Sequence, residues 1–277
     1  MKRKCLERKN LTPGELRAIQ LHELECMAVI DRICRTERLR YYMAGGTLLG
    51  AVRHKGFIPW DNDIDIAMPR KDYEHFLKIA PEQLGEKYFL KHYKTDPFCV
   101  VAYAKICENG TVFKEELTAH LSTHHGIFVD IFPLDFAPES RIKRQVEYLY
   151  RTLLKRICFV KLKIKCRRGK WVSALVKIPS MFFSRSFLWN RIERNAKRMN
   201  SKPTDLIMSA YSAYGAEREL MHPEDYGVPV EMEFEGHLLF APVQAEKLLS
   251  KTYGNYMELP PENQRVTHPI VELKLND

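Results

Sequence analysis

Between residues 13 and 39 the apolar positions recur at helical spacing: Leu16, Ile19, Leu24, Met27, Ile30 and Ile33. Thr12 followed by Pro13 supplies a cap and a first helical residue, so this stretch is predicted to be an amphipathic helix. The period then shortens. Residues 41–44 (YYMA) read as a strand, Gly45-Gly46 breaks it, and residues 47–53 read as a short helix that starts at the break. Residues 62–68 alternate, with Asp63 and Asp65 on one side and Ile64 and Ile66 on the other, until Pro69 ends the run. Helical periodicity returns over 72–80, and strands are expected over 87–93 and 99–107. Residues 126–134 (GIFVDIFPL) form a mostly apolar run that holds one acid, Asp130. From 139 to 199 the chain reads as basic and largely helical, interrupted around Arg167-Arg168-Gly169 and at Pro179. A hairpin is expected over 231–240, turning at Glu235-Gly236, then a helix over 243–253 and the proline-rich YGNYMELPPENQR. This mixture of strands and helices predicts an α+β chain, with no internal repeat and no low-complexity tract.

The alternation over 62–68 carries the chemistry. Ile64 and Ile66 would enter a core while Asp63 and Asp65 face a cleft together. Carboxylates held side by side repel unless a cation lies between them, and Mg²⁺ shared with substrate phosphates suits them. A calcium loop of the EF-hand type would need glycine at its sixth position, where this chain has Ile66. A solvated acidic turn fits poorly with Trp60, Ile64 and Ile66 as neighbours. Asp130, inside an apolar run, is either a third metal carboxylate or the acid of a structural salt bridge, since an unpaired buried charge is costly. Asp135, between Pro133 and Pro138, reads as a turn or helix capper. Gly45-Gly46 is either a plain tight turn or a phosphate cradle at a helix start. Arg53, His54 and Lys55 follow it and could neutralise phosphate oxygens. His124-His125 has no partner at zinc-ligand spacing.

Charge changes the picture in one place. The net charge is +9, but residues 141–202 hold 19 lysines and arginines against two acids, Glu147 and Glu193, a net of +17 that leaves −8 for the rest. This asymmetry points to an anionic partner. Residues 178–189 mix Met181, Phe182, Phe183, Phe187 and Trp189 with basic neighbours. They either pack on the catalytic domain or lie on an anionic membrane. Seven cysteines, an odd number without a CxxC, read as free thiols in a reducing compartment. No apolar stretch follows the charged start MKRKCLERKN, and no run approaches the roughly 18 residues needed to span a bilayer. A cytoplasmic protein is expected, with peripheral contact on the inner face of the membrane as an option.

Taken together, Gly45-Gly46, the pair Asp63-x-Asp65 and a later lone acid on a strand resemble the nucleotidyltransferase (polymerase β-like) superfamily. The blocks GGTLLGAVRHKGFIPWDNDIDIAM, GIFVDIFPLD and YGNYMELPPENQR resemble the LicD family, which includes bacterial phosphocholine transferases and is related to fukutin-type proteins. The resemblance implies a single catalytic domain over 1–277. Its core would be a nucleotidyltransferase-like mixed β-sheet, approximately 13–138 and 203–277, carrying a basic, largely helical insertion, approximately 139–202. It implies Mg²⁺-dependent transfer, with Mn²⁺ as an alternative ion, of a phospho-group from a CDP-activated donor such as CDP-choline. The acceptor would be a hydroxyl of a cell-surface glycan, teichoic acid or lipopolysaccharide, which a lipid could carry. Carried over, the metal and catalytic residues become Asp63, Asp65 and Asp130. The substrate-contacting set becomes Gly45, Gly46 and Thr47 with Arg53, Lys55 and Asp61. Other donors (glycerol, ribitol or ethanolamine phosphate) stay open. A nucleotidyltransferase acting on RNA is the rival reading, but the LicD-like blocks argue against a nucleic-acid partner. A choline group would need an aromatic cage or a carboxylate, and Trp60, Tyr103, Trp171, Tyr211 and Tyr214 are available for a cage.

Overall fold

The computed structural model describes residues 7–164, 174–211 and 217–276. Arg167-Arg168-Gly169, Trp171, Tyr214, Cys5 and Cys166 lie outside them. The first helix, α1 (Pro13–Thr36), starts as its sequence requires. The Glu15 N–H donates to Thr12 Oγ1, and the Thr12 N–H donates back to the Glu15 carboxylate. Its buried face carries Ile19, Met27, Ile30 and Ile33.

A six-stranded mixed sheet forms the centre. β1 (Tyr42–Met43) pairs antiparallel with β2 (Ile64–Pro69), and α2 (Gly45–His54) fills the connection between them. β2 runs parallel to β6 (Phe128–Phe136), which pairs antiparallel with β4 (Ala104–Glu108). β3 (Tyr88–Lys91) closes the order β1-β2-β6-β4-β3. β7 (Ile207–Ser209) pairs with the far end of β6. Two smaller pairs flank the sheet: β5 (Val112–Glu115) with β10 (Ile270–Lys274), and the hairpin of β8 (Val230–Phe234) and β9 (His237–Ala241). That hairpin turns at Glu235-Gly236 as expected, both residues being left-handed at φ +51° and +76°.

The main core joins α1, α2 and α3 (Arg70–Gln83) to the sheet face that carries Ile64 and Ile66, both fully buried. Burial of an aliphatic side chain of that size contributes about 1.5–3 kcal/mol, which fixes the register of β2 and hence the facing of its acids. The remaining helices are α4 (Arg141–Lys161), α5 (Lys177–Phe182), α6 (Arg185–Met199), α7 (Pro223–Tyr226) and α8 (Ala245–Tyr253). α4 and α6 share a second core, in which Ile157, Leu188, Trp189 and Ile192 pack with Cys99 and Val100.

Two expectations need correction. The strand expected over 99–107 begins only at Ala104. The Asp96 carboxylate ties down the residues before it, accepting from the Phe98 N–H, the Thr123 hydroxyl and the His124 N–H. Asp135 is no capper. β6 continues through Pro133 to Phe136, and Asp135, 1% exposed, accepts two bonds from Arg70 at 2.7 and 2.6 Å. Pro133 is tolerated because it falls between the β4 pairing, which ends at Ile131, and the β7 pairing, which starts at Leu134. Cys26, Cys34, Cys99, Cys107 and Cys158 are free and buried, as expected.

Candidate active site

Strand register assembles the site. Asp65 on β2 is paired with Asp130 on β6, and Asp130 is paired in turn with Lys105 on β4. Paired positions face the same way, so two acids and a cation stand in a row across three strands. Lys105 Nζ lies 2.9 Å from Asp130 Oδ1 and donates to Oδ2 at 3.2 Å. The Tyr103 hydroxyl donates to the same Oδ2 at 3.4 Å. Asp130 thus has a cationic partner, a lysine rather than an arginine, and still faces the cleft.

Asp61 and Asp63 stand in the loop that leads into β2. Asp63 Oδ2 is 3.2 Å from His268 Nδ1, in the segment before β10. One ligand atom from each of Asp61, Asp63 and His268 falls within 4.8 Å of the others, close enough for one divalent ion. Oxygen donors suit Mg²⁺ or Mn²⁺, and an imidazole favours transition metals.

The electrostatics fit a cation. Burial pushes the Asp61 carboxyl up to about 8, and Asp63 adds to the shift. Burial also holds Asp65 well above its ordinary range, followed by repulsion from Asp63, Asp130 and Asp61. Glu23 on α1 is raised by burial and by the same four acids. Asp130 rises only to about 6, because Lys105 offsets its burial. Repulsion among such carboxylates is relieved by a cation between them.

The glycine pair has a steric reason. Gly45 is left-handed at φ +52°, and a Cβ there would lie 3.1 Å from Asp65 Oδ2; a Cβ on Gly46 would lie 2.6 Å from Asp61 Oδ2. The two carboxylates press against the N-terminus of α2, whose free N–H groups and dipole favour negative charge. Thr47 accepts the Asp65 N–H at 2.8 Å and locks β2 to α2.

A cleft of about 670 Å³ collects these groups: Gly45, Gly46, Asp61, Asp63, Asp65 and Asp130 line it, with Trp60, Tyr103 and Tyr211 among its aromatics. Arg53 and Lys55 sit at the opposite end of α2. Arg53 donates to the carbonyls of Tyr256 at 2.7 Å and Glu258 at 3.3 Å, and Lys55 ends the helix at φ +58°. The lysines that line the cleft are Lys105 and Lys155. Lys105 had a signal in the sequence, a charge inside an apolar strand like that of Asp130. His268 had none.

Residues 38–173 match the family model described as LicD/FKTN/FKRP, nucleotidyltransferase domain. The chain is 28% identical over 263 residues, 90% of its length and 95% of the relative's, to the lipopolysaccharide cholinephosphotransferase LicD of Haemophilus influenzae. An uncharacterised Rickettsia typhi protein is 33% identical over 50% of the chain and 41% of its own length. The ribitol 5-phosphate transferase FKRP of Homo sapiens is 50% identical over 47 residues, 17% of the chain and 10% of that protein. Residues 38–173, which hold the aligned acids Asp65 and Asp130, are therefore a LicD family domain.

Proposed function

We propose that this protein transfers a phospho-group, phosphocholine first, from a CDP-activated donor to a hydroxyl of a cell-surface glycan of the lipopolysaccharide kind, with Mg²⁺ or Mn²⁺. The observation that carries this reading is the alignment of Asp65 with Asp130 across β2 and β6, with Asp61 and Asp63 beside them at the N-terminus of α2. The similarity to a cholinephosphotransferase over nearly all of both chains supports choline. The short match to a ribitol 5-phosphate transferase keeps ribitol phosphate as the second donor to test.

Asp61, Asp63 and Asp65 would hold the ion, with His268 in reach of the first two. A bound divalent ion would neutralise the donor diphosphate and the charge spread over its oxygens during in-line transfer. Asp130 would take the proton of the acceptor hydroxyl. Its burial lifts it to about 6, where a carboxylate is basic enough to accept a proton and still ionised at neutral pH. Lys105 and Tyr103 orient it. Gly45 and Gly46 admit the Asp65 and Asp61 carboxylates to the helix start, and the free N–H groups there would meet the donor phosphates beside them.

We also read the exposed faces of α5 and α6 as a membrane contact. Met181 is 74% and Phe182 79% exposed within the basic stretch, and no helix among the described residues is long and apolar enough to cross a bilayer.

The test is CMP release from CDP-choline, CDP-ribitol, CDP-glycerol and CDP-ethanolamine, with Mg²⁺, Mn²⁺ or EDTA. CDP-choline is expected to be the preferred donor and EDTA to stop release. Release from none of the four, or release unaffected by EDTA, overturns the proposal.

A further inference from the structure

Behind the Asp130 end of the cleft a second cavity of about 280 Å³ opens between α4, α6 and residues 101–103 and 210–211. It shares Tyr103, Lys155 and Tyr211 with the cleft, so the two adjoin at these side chains. Arg151, Lys155 and Arg156 line it, and no carboxylate lies among the described residues that do. This differs from the cleft, whose floor is acidic. Trp189 and Tyr148 add aromatic wall.

Two of its polar groups are set apart. Arg151 is 6% and Trp189 3% exposed, yet neither Arg151 Nε nor Trp189 Nε1 has a hydrogen-bond partner among the described residues. Arg151 is held from its other end, where Nη1 donates to Asn195 Oδ1 at 3.1 Å. A buried donor left unmatched costs about 1–3 kcal/mol. Orphaned donors on two side chains that line a cationic cavity fit an anionic ligand that completes them once those side chains turn toward it.

From these observations we infer that the side cavity is a subsite for an anionic sugar, one carrying a phosphate or a carboxylate, next to the acceptor hydroxyl. The cations and orphaned N–H groups take the anion, and the aromatic walls take the apolar faces of the ring. The position favours acceptor over donor. Tyr103 walls the side cavity and bonds Asp130, the group that would take the acceptor proton, whereas Asp61, Asp63 and His268, which would hold the ion, do not line that cavity. The ligand's identity as an acceptor sugar rests on the phospho-transfer reading; the existence of the subsite does not.

The experiment is calorimetric titration of the full chain in EDTA with glucose 6-phosphate as probe, against glucose, inorganic phosphate and CMP. Glucose 6-phosphate is expected to bind at about millimolar Kd, at least tenfold tighter than glucose or inorganic phosphate. Lys155→Gln and Arg156→Gln should each weaken it about tenfold. Trp189→Phe, which removes the indole N–H and keeps a ring, should weaken it severalfold. Lys155 is exposed, so its variant decides the matter even if the other two fail to fold. No binding, equal binding of inorganic phosphate, unchanged affinity in the Lys155 variant, or displacement by CMP overturns the inference. Absent binding with CMP release intact refutes the subsite alone. Binding with no CMP release from any CDP donor refutes the transfer reaction instead.

Discussion

In the sheet, Asp130 and Lys105 lie buried and Asp65 half-buried on strands whose alternate residues, Ile64, Ile66 and Ile106, are fully enclosed. In the α4–α6 region the arrangement is reversed. Ile178, Met181 and Phe182 are 68–79% exposed among lysines and arginines that mostly face solvent. Charge is costly to bury, and apolar surface is costly to wet. Each region accepts one of these costs, and each does so where a ligand could offset it: a cation in the sheet, an anionic surface on the helices. On the proposed function, the contrast would separate the residues that do chemistry from those that bring the chemistry to its substrate.

The sharpest way to break this contrast is to exchange the assays. Asp65→Asn should lower CMP release by at least about a thousandfold, the scale of losing a charge aimed at the reacting phosphate. It should leave vesicle binding unchanged. Its metal-free thermal midpoint should not fall, because the amide removes the repulsion from Asp63, Asp130 and Asp61. Met181→Ser with Phe182→Ser should keep release on a soluble acceptor within about twofold. Comparable losses of turnover in both variants would erase the distinction.

A second variant tests the seam between the regions. Asp135 on β6 accepts from Arg70 and, at 2.5 Å, from Asn200 at the C-terminal end of α6. Asp135→Ala strands a buried guanidinium and should cost about 3–5 kcal/mol in denaturant unfolding. Asp135→Asn, which keeps one acceptor for Asn200, should cost less. A loss under 1 kcal/mol in the alanine variant would mean that the seam is held elsewhere.

How much of this was legible follows from the kind of signal each residue leaves. Period is local, so α1, the alternation from Ile64 to Met68 and the β8–β9 hairpin could be read directly, whereas Asp63, expected on that strand, lies in the loop before it. Facing is local too, which put Asp65 and Ile66 on opposite sides. Register is not local. That Asp130 would sit opposite Asp65, with Lys105 completing the row, depends on which strands pair, and only the fold specifies that. His268 comes to Asp63 from a segment with no periodicity at all. Asp135 was misread because its flanking prolines suggest a turn, whereas Pro133 occupies the gap between two pairing partners. The glycine pair was legible as a break but not as the relief of a clash, since the carboxylates it accommodates arrive from residues 61 and 65.

The helical side of the comparison is sharpened by vesicles. Flotation with anionic lipid should retain the protein, neutral vesicles should not, and salt should release it as screening shortens the reach of the basic face. The burial of a Phe and a Met contributes about 1.5–3 kcal/mol each. Met181→Ser with Phe182→Ser should therefore lower partitioning by about two to four orders of magnitude at fixed salt. Binding that ignores both lipid charge and salt would remove the membrane from the picture and return these residues to an unexplained exposure.

The smallest effect tests the sheet side through pH. Asp61, titrating at about 8, and Asp65, also raised, keep protons in the folded chain that the unfolded chain releases near pH 4. The folded state then binds more protons, so stability falls as pH rises through that window. His92, kept neutral by burial down to about 3, acts in the opposite direction below about pH 6.5. The fall should therefore be clearest between pH 6.5 and 8. In EDTA the thermal midpoint should drop by a few degrees over that interval, at about 2–4 °C per kcal/mol for a chain of this size. Millimolar Mg²⁺ should restore more at pH 8 than at 6.5, because the ion takes the place of the protons. The slope should flatten in Asp65→Asn and persist in the Met181 and Phe182 variant. A midpoint that rises with pH in EDTA would mean that the acids are already paired within the protein, leaving a cation nothing to relieve.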